Sequence, residues 1–154
     1  MYQKKIILLF LLLLSSCGYE AIHSKKGSGN YSFSVSELNF VGDRTVNLKI
    51  KERLSNYTQG KKDKDFILKI SSTSEKIILA KDTAGDTTAF KNTISINIEV
   101  LMNNKFKNNF IIKESFNYNN ISNKFNLKKY EEEIKNNLAE VATDKLIFKL
   151  SNFQ

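Results

Sequence analysis

The sequence predicts an α+β fold of the order β-α-β-β-β-α, a four-stranded, mostly antiparallel sheet with two helices packed on one face. Three observations point there. Ile94, Ile96, Ile98, Val100 and Met102 alternate with Ser95, Asn97, Glu99 and Leu101, the period-two pattern of a strand with one core face and one wet face. Two other stretches place apolar residues at helical spacing, and the connections between the last three strands are short, which makes those strands antiparallel neighbours.

The elements follow in order. A first strand opens at Tyr31: Phe33 and Val35 alternate, then Leu38 and Phe40 alternate on the other parity, so a bulge is expected near Ser36 and Glu37. Gly42 and Asp43 end it. Val46, Ile50, Leu54 and Tyr57 then recur at helical spacing, with Asp43 placed to cap a helix of about four turns, and Gln59, Gly60 and the charged run from Lys61 to Asp65 close the unit. Phe66, Leu68 and Ile70 begin the second strand and Ile77 to Ala80 extend it, before Asp82-Thr83-Ala84-Gly85-Asp86 supplies the turn of a hairpin. The alternating third strand ends at Asn103 and Asn104, another tight turn, and Phe110, Ile112, Phe116 and Tyr118 form the fourth. The last helix starts near Asn126, with Leu127, Tyr130, Ile134, Leu138 and Val141 on one stripe and Ala142, Leu146 and Leu150 broadening it. Glu131 to Glu133 early and Lys145 and Lys149 late suit the helix dipole, so these acids read as a solvated face rather than as catalytic carboxylates.

The N-terminus sets the address. Lys4 and Lys5 precede an apolar run from Ile6 to Leu14, and Ser15 and Ser16 stand directly before Cys17, the one cysteine of the chain. A run of this length is about half of the ~20 residues a membrane-crossing helix needs, so the segment targets the chain and does not span. Leu14-Ser15-Ser16-Cys17 resembles a bacterial lipoprotein signal, which implies lipid on the Cys17 thiol and cleavage before it. Gly18, where an Asp would retain the product at the inner membrane, implies the outer membrane. The organisation expected is therefore a signal peptide over residues 1–16, a lipidated Cys17 with a flexible tether over 17–30 rich in Ser and Gly, and a single domain over 31–154. Removing the signal takes two of the 24 basic residues and none of the 16 acidic ones, leaving an excess that favours anionic partners. Export argues against nucleic acid and leaves lipid head groups, phosphorylated glycolipid or an acidic protein surface.

Chemistry is sparse. The one histidine, His23, falls in the tether, the one cysteine is committed to lipid, and the serines from Ser71 to Ser74 have no partnered base. No metal ligands cluster and no Gly-rich phosphate loop occurs, so the expectation is a non-enzyme with no cofactor beyond the covalent lipid on Cys17.

With these elements in place, the chain resembles the lipopolysaccharide-assembly lipoprotein family, LptE. The residues carrying the likeness are Cys17-Gly18-Tyr19, the strand from Glu37 to Phe40 leading into Gly42-Asp43-Arg44 and Asn47, Asp82 with Gly85 in the central hairpin, and Ala139-Glu140-Val141-Ala142-Thr143-Asp144 before Leu146. Many relatives carry a proline turn before the first helix where this chain has Gly42-Asp43-Arg44. The resemblance implies an outer-membrane, lipid-anchored plug that stabilises the β-barrel translocon LptD, faces the periplasm or the barrel lumen, and binds lipopolysaccharide. A sheet face with Ser95, Asn97, Glu99, Lys113, Ser115 and Asn117 suits a hydrated lumen. Lys76, Lys81 and Lys91, which flank the central hairpin, are the candidates for contacting a phosphorylated lipid, because a lysine presents a compact positive charge to phosphate. Other small periplasmic-facing lipoproteins are the alternative: a secretion pilot, a barrel-assembly accessory or a lipid carrier.

Overall fold

A computed structural model describes residues 32–153. The expected signal peptide, Cys17 and the tether lie outside the described residues. The elements are β1 (Phe33–Gly42), α1 (Arg44–Leu54) with a 3₁₀ turn at Ser55–Tyr57, β2 (Lys64–Lys81), β3 (Thr87–Met102), β4 (Lys105–Asn119) and α2 (Lys124–Ser151). The four strands lie in the order β1-β2-β3-β4. β2, β3 and β4 form an antiparallel meander, whereas β1 pairs with β2 in parallel. A parallel pair cannot be closed by a tight turn, and α1 supplies the crossover. The α+β class, the element order and the two helices on one face of the sheet agree with the sequence reading.

Details of β1 also agree. Phe33 and Val35 are buried, the register against β2 slips between Val35 and Glu37, and Leu38 and Phe40 then return to the core side. Ser36 is the extra residue. Without it, every side chain after Val35 would point to the wrong face.

The two hairpins are set by their turn residues. Asn103 and Asn104 both have positive φ, 54° and 58°, as a two-residue type I′ turn requires, and asparagine is among the few side chains that tolerate it. In the β2–β3 turn the Asp82 carboxylate accepts from the Ala84 and Asp86 N–H groups, at 3.0 and 2.9 Å, while Gly85 supplies φ of +89°.

The core lies between sheet and helices. Phe66, Leu68 and Ile70 of β2 and Ile94, Ile96, Ile98 and Val100 of β3 meet Val46, Ile50 and Leu54 of α1 and Leu138, Ala142, Leu146 and Leu150 of α2. Each large aliphatic side chain buried this way contributes about 1.5–3 kcal/mol. At one end of the sheet Phe33 stacks on Tyr57 with ring centroids 4.7 Å apart, and Phe153 sets its edge against Phe66 at 5.5 Å, closing the core beyond the last turn of each helix.

The helices differ from expectation in three respects. α1 proper ends at Leu54, and Tyr57 joins the core from the tighter 3₁₀ turn that follows. α2 begins at Lys124, two residues earlier than expected, because Asn123 caps it by accepting from the Phe125 and Asn126 N–H groups. Its buried stripe is rotated: Ala139, Ala142 and Thr143 are fully buried, whereas Val141 is 46% exposed and Tyr130 36%. The reason is α1, which packs on the opposite flank and turns the small residues inward. Arg53 of α1 bonds Glu140 at 3.2 Å and also Asp144, both on α2.

The β1–α1 junction is the tightest place in the fold. Gly42 has φ of +101°, and a Cβ there would stand 1.9 Å from the Ser72 carbonyl oxygen on β2. The Asp43 N–H donates to that same oxygen at 3.0 Å. The Ser72 hydroxyl, almost fully buried, donates 2.7 Å to the Asn47 amide oxygen, and the Asn47 amide donates back to the Val41 carbonyl. Asp43 caps α1 through the Val46 N–H and pairs with Lys135 of α2 at 3.0 Å. Burial pushes the Asp43 carboxyl up, but the hydrogen bonds from Val46 and Lys135, with the Lys135 charge, outweigh it and hold its pKa below the ordinary value.

Gly42→Ala should therefore lower stability by about 3 kcal/mol or more in urea unfolding, since overlap with backbone adds to the cost of positive φ. Gly60→Ala and Gly85→Ala, at positive φ but facing open space, should each cost about 1 kcal/mol. A group whose pKa is lowered on folding stabilises above its unfolded value of about 4, and that contribution is lost as pH falls through the folded value. Asp43→Asn, which keeps a capping oxygen, should accordingly lose about 0.5–1 kcal/mol at pH 7, and the difference from the parent should shrink as unfolding is repeated below pH ~4.

Candidate functional site

The strand register divides the three candidate lysines between surfaces. Lys76 stands opposite Asn92, on the helix-covered face, and Lys91 opposite Ile77, on the open face. Lys81 pairs with Thr87 at the base of the turn. Lys76 is held in place: its ammonium lies 2.5 Å from the Glu131 carboxylate and 4.0 Å from the centre of the Phe90 ring. The Tyr118 hydroxyl donates to the same Glu131 oxygen at 2.9 Å. Burial first, and then this hydrogen bond to a carboxylate, push the Tyr118 phenol well above its ordinary pKa, so it remains a donor at any ordinary pH.

Glu131, read from sequence as part of a solvated, dipole-matched face, is thus the hub that ties β2 and β4 to the first turns of α2. The early turns of that helix have to reach the sheet somewhere, and a pairing across 55 residues leaves no local pattern. Lys145 has a similar second role, bonding Glu114 of β4 at 2.6 Å. Lys81 and Lys91 make no ion pair among the described residues.

Between these lysines the central hairpin is uncovered. Ile77, Ile78 and Leu79 are 42, 52 and 45% exposed, an apolar run on the same arm as Lys81 and Lys91. The split of Lys76 and Lys91 between faces follows from strand alternation continued out from the core, whereas the two register shifts, between Ile78 and Ala80 and between Ala80 and Lys81, break that parity only at the end of the arm.

The open face of the sheet is built as the sequence implied. Ser95 stands opposite Lys113, Thr93 opposite Ser115 and Lys91 opposite Asn117, which puts their side chains on one surface. Lys69 and Glu99 pair across it at 3.2 Å, and a shallow depression between them takes in Asn39, Ser71, Asn97 and Asn109. Such a face can donate and accept hydrogen bonds to water, sugar or another polar wall. On the helix-covered face the buried Ser72 hydroxyl is spent on Asn47 and the Asp43 carbonyl. His23 and Cys17 lie outside the described residues.

The resemblance motifs occupy structural positions. Gly42, Asp43 and Asn47 form the β1–α1 junction, Asp82 and Gly85 shape the hairpin turn, and Ala139, Glu140, Ala142, Thr143 and Asp144 seat α2 against the sheet and Arg53.

No family model matches the sequence. No curated protein matches it either. Solved structures do match. Rare lipoprotein B from Shewanella oneidensis superposes with a TM-score of 0.60 at 14% identity, over 75% of this chain and 93% of that one. Lipoprotein B from Nitrosomonas europaea gives 0.61 at 18% identity, over 81% and 88% of the two chains. The minor lipoprotein from Acinetobacter baumannii gives 0.57 at 9% identity, over 77% and 92%.

A Lys76→Ala variant should lose about 1 kcal/mol in urea unfolding, from its ion pair and ring contact together. Lys81→Ala and Lys91→Ala should stay within about 0.5 kcal/mol of the parent, as for surface positions without partners. At this level of identity the likeness is one of architecture, and this chain has the fold that rare lipoprotein B and these other bacterial lipoproteins share.

Proposed function

We propose that the chain is a non-catalytic, lipid-anchored subunit of the lipopolysaccharide-assembly machinery of the outer membrane, seated in the β-barrel LptD and stabilising it. The observation that carries this reading is the coincidence of two independent features: the fold of rare lipoprotein B, a name used for the LptE family, and a lipoprotein signal ending at Cys17. Either alone is common. Together they match a small domain held at a membrane surface, where acylation of Cys17 would confine it.

The open sheet face supports a role as a plug. Its serines, asparagines and threonines carry hydrogen-bonding capacity with little net charge, suited to the hydrated interior of a barrel. For direct contact with the glycolipid, Lys81 and Lys91 are better candidates than Lys76. Their charges are not already compensated, and the exposed Ile77-Ile78-Leu79 run lies on the same arm. Lys76 serves the fold, through Glu131 and Phe90. No cofactor or nucleic acid enters this reading.

Capture of the native protein from gently solubilised outer membranes tests it. The expected result is a chain beginning at an acylated Cys17 in mass spectrometry, recovered with LptD and with bound lipopolysaccharide. Recovery with a secretion channel or with the barrel-insertion machinery would instead favour a pilot or an accessory lipoprotein. An unacylated Cys17 behind an intact leader would exclude both readings.

A further inference from the structure

We infer that the end of the domain at which the chain enters β1 is a second membrane contact, an end-on seat for anionic phospholipid head groups of the leaflet that holds the Cys17 lipid. The inference rests on the lipid anchor proposed above, not on the identity of the barrel.

The fold gathers cations at that end. Phe33, the first residue of β1, pairs with Lys64, and the Lys62 N–H donates to the Ser34 hydroxyl, so the loop before β2 lies beside the point of entry. Phe66 stands opposite Met102 and Met102 opposite Lys105, which adds the β3–β4 turn. The Lys64 ammonium donates to the Phe153 carbonyl at 2.5 Å and adds the end of α2. Lys61, Lys62, Lys105, Lys107 and Lys149 are exposed there, and none forms an ion pair among the described residues. Carboxylates are fewer: Asp63 is exposed, and Asp65 is half-buried, accepting from the Ser34 hydroxyl at 2.7 Å. At the opposite end Lys81, Lys124, Lys128 and Lys129 stand among Asp82, Asp86, Glu132 and Glu133. A lysine-rich composition alone would charge both ends alike.

Exposed rings accompany the lysines on both sides of the sheet. Phe106, 61% exposed, pairs with Leu101 just past the Asn103-Asn104 turn, on the open side. Phe148, 71% exposed, lies in the last turn of α2, where it lines a groove of about 480 Å³ with Lys107, Phe110 and Lys149. With rings on both sides and lysines across its width, the end itself is the contact surface rather than either face. A lysine feels a negative bilayer only within about a Debye length, ~8–10 Å. Apolar groups at the head-group boundary bury to a similar depth, ~5–10 Å, so both kinds of residue suit one layer of one membrane.

The anchor supplies the remaining term. Residues 18–32 are all that separate Cys17 from Phe33, and a contact that is weak alone becomes intramolecular across so short a connection. β2 is 18 residues long, which sets the Asp82–Asp86 turn roughly 55 Å from this end. A plug that enters a barrel from the periplasm keeps its tethered end at the mouth, level with the head groups, and sends the arm into the lumen.

Tryptophan reporters in the acylated full chain, reconstituted in nanodiscs, test this. The chain has no tryptophan of its own, so Phe106→Trp and Phe148→Trp each give a single signal. In phosphatidylcholine containing phosphatidylglycerol, each should emit to the blue and lose about half its intensity to bromine-labelled acyl chains. Both effects should fade in phosphatidylcholine alone and in high salt. Phe125→Trp, at a 77% exposed site at the other end of α2, should show neither. Lys105→Glu, Lys107→Glu and Lys149→Glu combined should abolish quenching at both reporters with circular dichroism unchanged, since all three are exposed. Absence of quenching at 106 and 148, equal quenching at 125, or quenching that survives charge reversal overturns the inference and leaves the barrel reading untouched. An unacylated Cys17 in the mass spectrum of the same preparation overturns both.

Discussion

The approach of Gly42 to the Ser72 carbonyl governs the rest of the architecture. β1 must pair in parallel with β2 and then leave the sheet at once, and the chain can turn there only because no side chain occupies the space beside Ser72. The turn places Asp43 where its N–H meets the same carbonyl and its carboxylate caps α1. Through Lys135 the cap also reaches α2. One short contact thus sets the position of both helices over the sheet, and the buried Ser72 hydroxyl has the half-buried Asn47 amide oxygen as its partner rather than being left without one, which would cost more than the bond is worth.

A second set of contacts keeps the two helices parallel to the same face. Small residues at Ala139, Ala142 and Thr143 let α2 sit close, and Arg53 grips Glu140 and Asp144 from α1. Ala139, Glu140, Ala142, Thr143 and Asp144, all in the stretch that carried the resemblance expected from the sequence, thus each act on architecture. Folds can therefore coincide with rare lipoprotein B while only 14% of residues are identical, because few positions are constrained by anything sharper than being apolar on the correct face.

The division of labour among charged residues follows the same logic. Lys76, Lys135 and Lys145 each meet a carboxylate across elements and hold helix to sheet, whereas Lys81 and Lys91 stand on an uncovered arm beside exposed aliphatic side chains. A ligand gains more from charges that folding has not already compensated. The polar open face runs into the arm at Lys91, whereas Lys76 lies on the helix-covered face.

Local pattern determined a great deal of this protein: the alternation in β3, the bulge at Ser36, both turns, the capping role of Asp43 and the number and order of elements all follow from interactions between residues close in sequence. The lipoprotein signal expected at Cys17 rests on the sequence alone, since a signal is read as a linear string. The tertiary structure decided what depends on distant partners. It rotated α2 so that Ala139 and Thr143 replaced Val141 in the core, and drew Glu131 into a cluster with Lys76 and Tyr118. The physical reason is that a helix's buried arc is set by every neighbour packed against it, here a sheet and a second helix, while its sequence periodicity records only that such an arc exists.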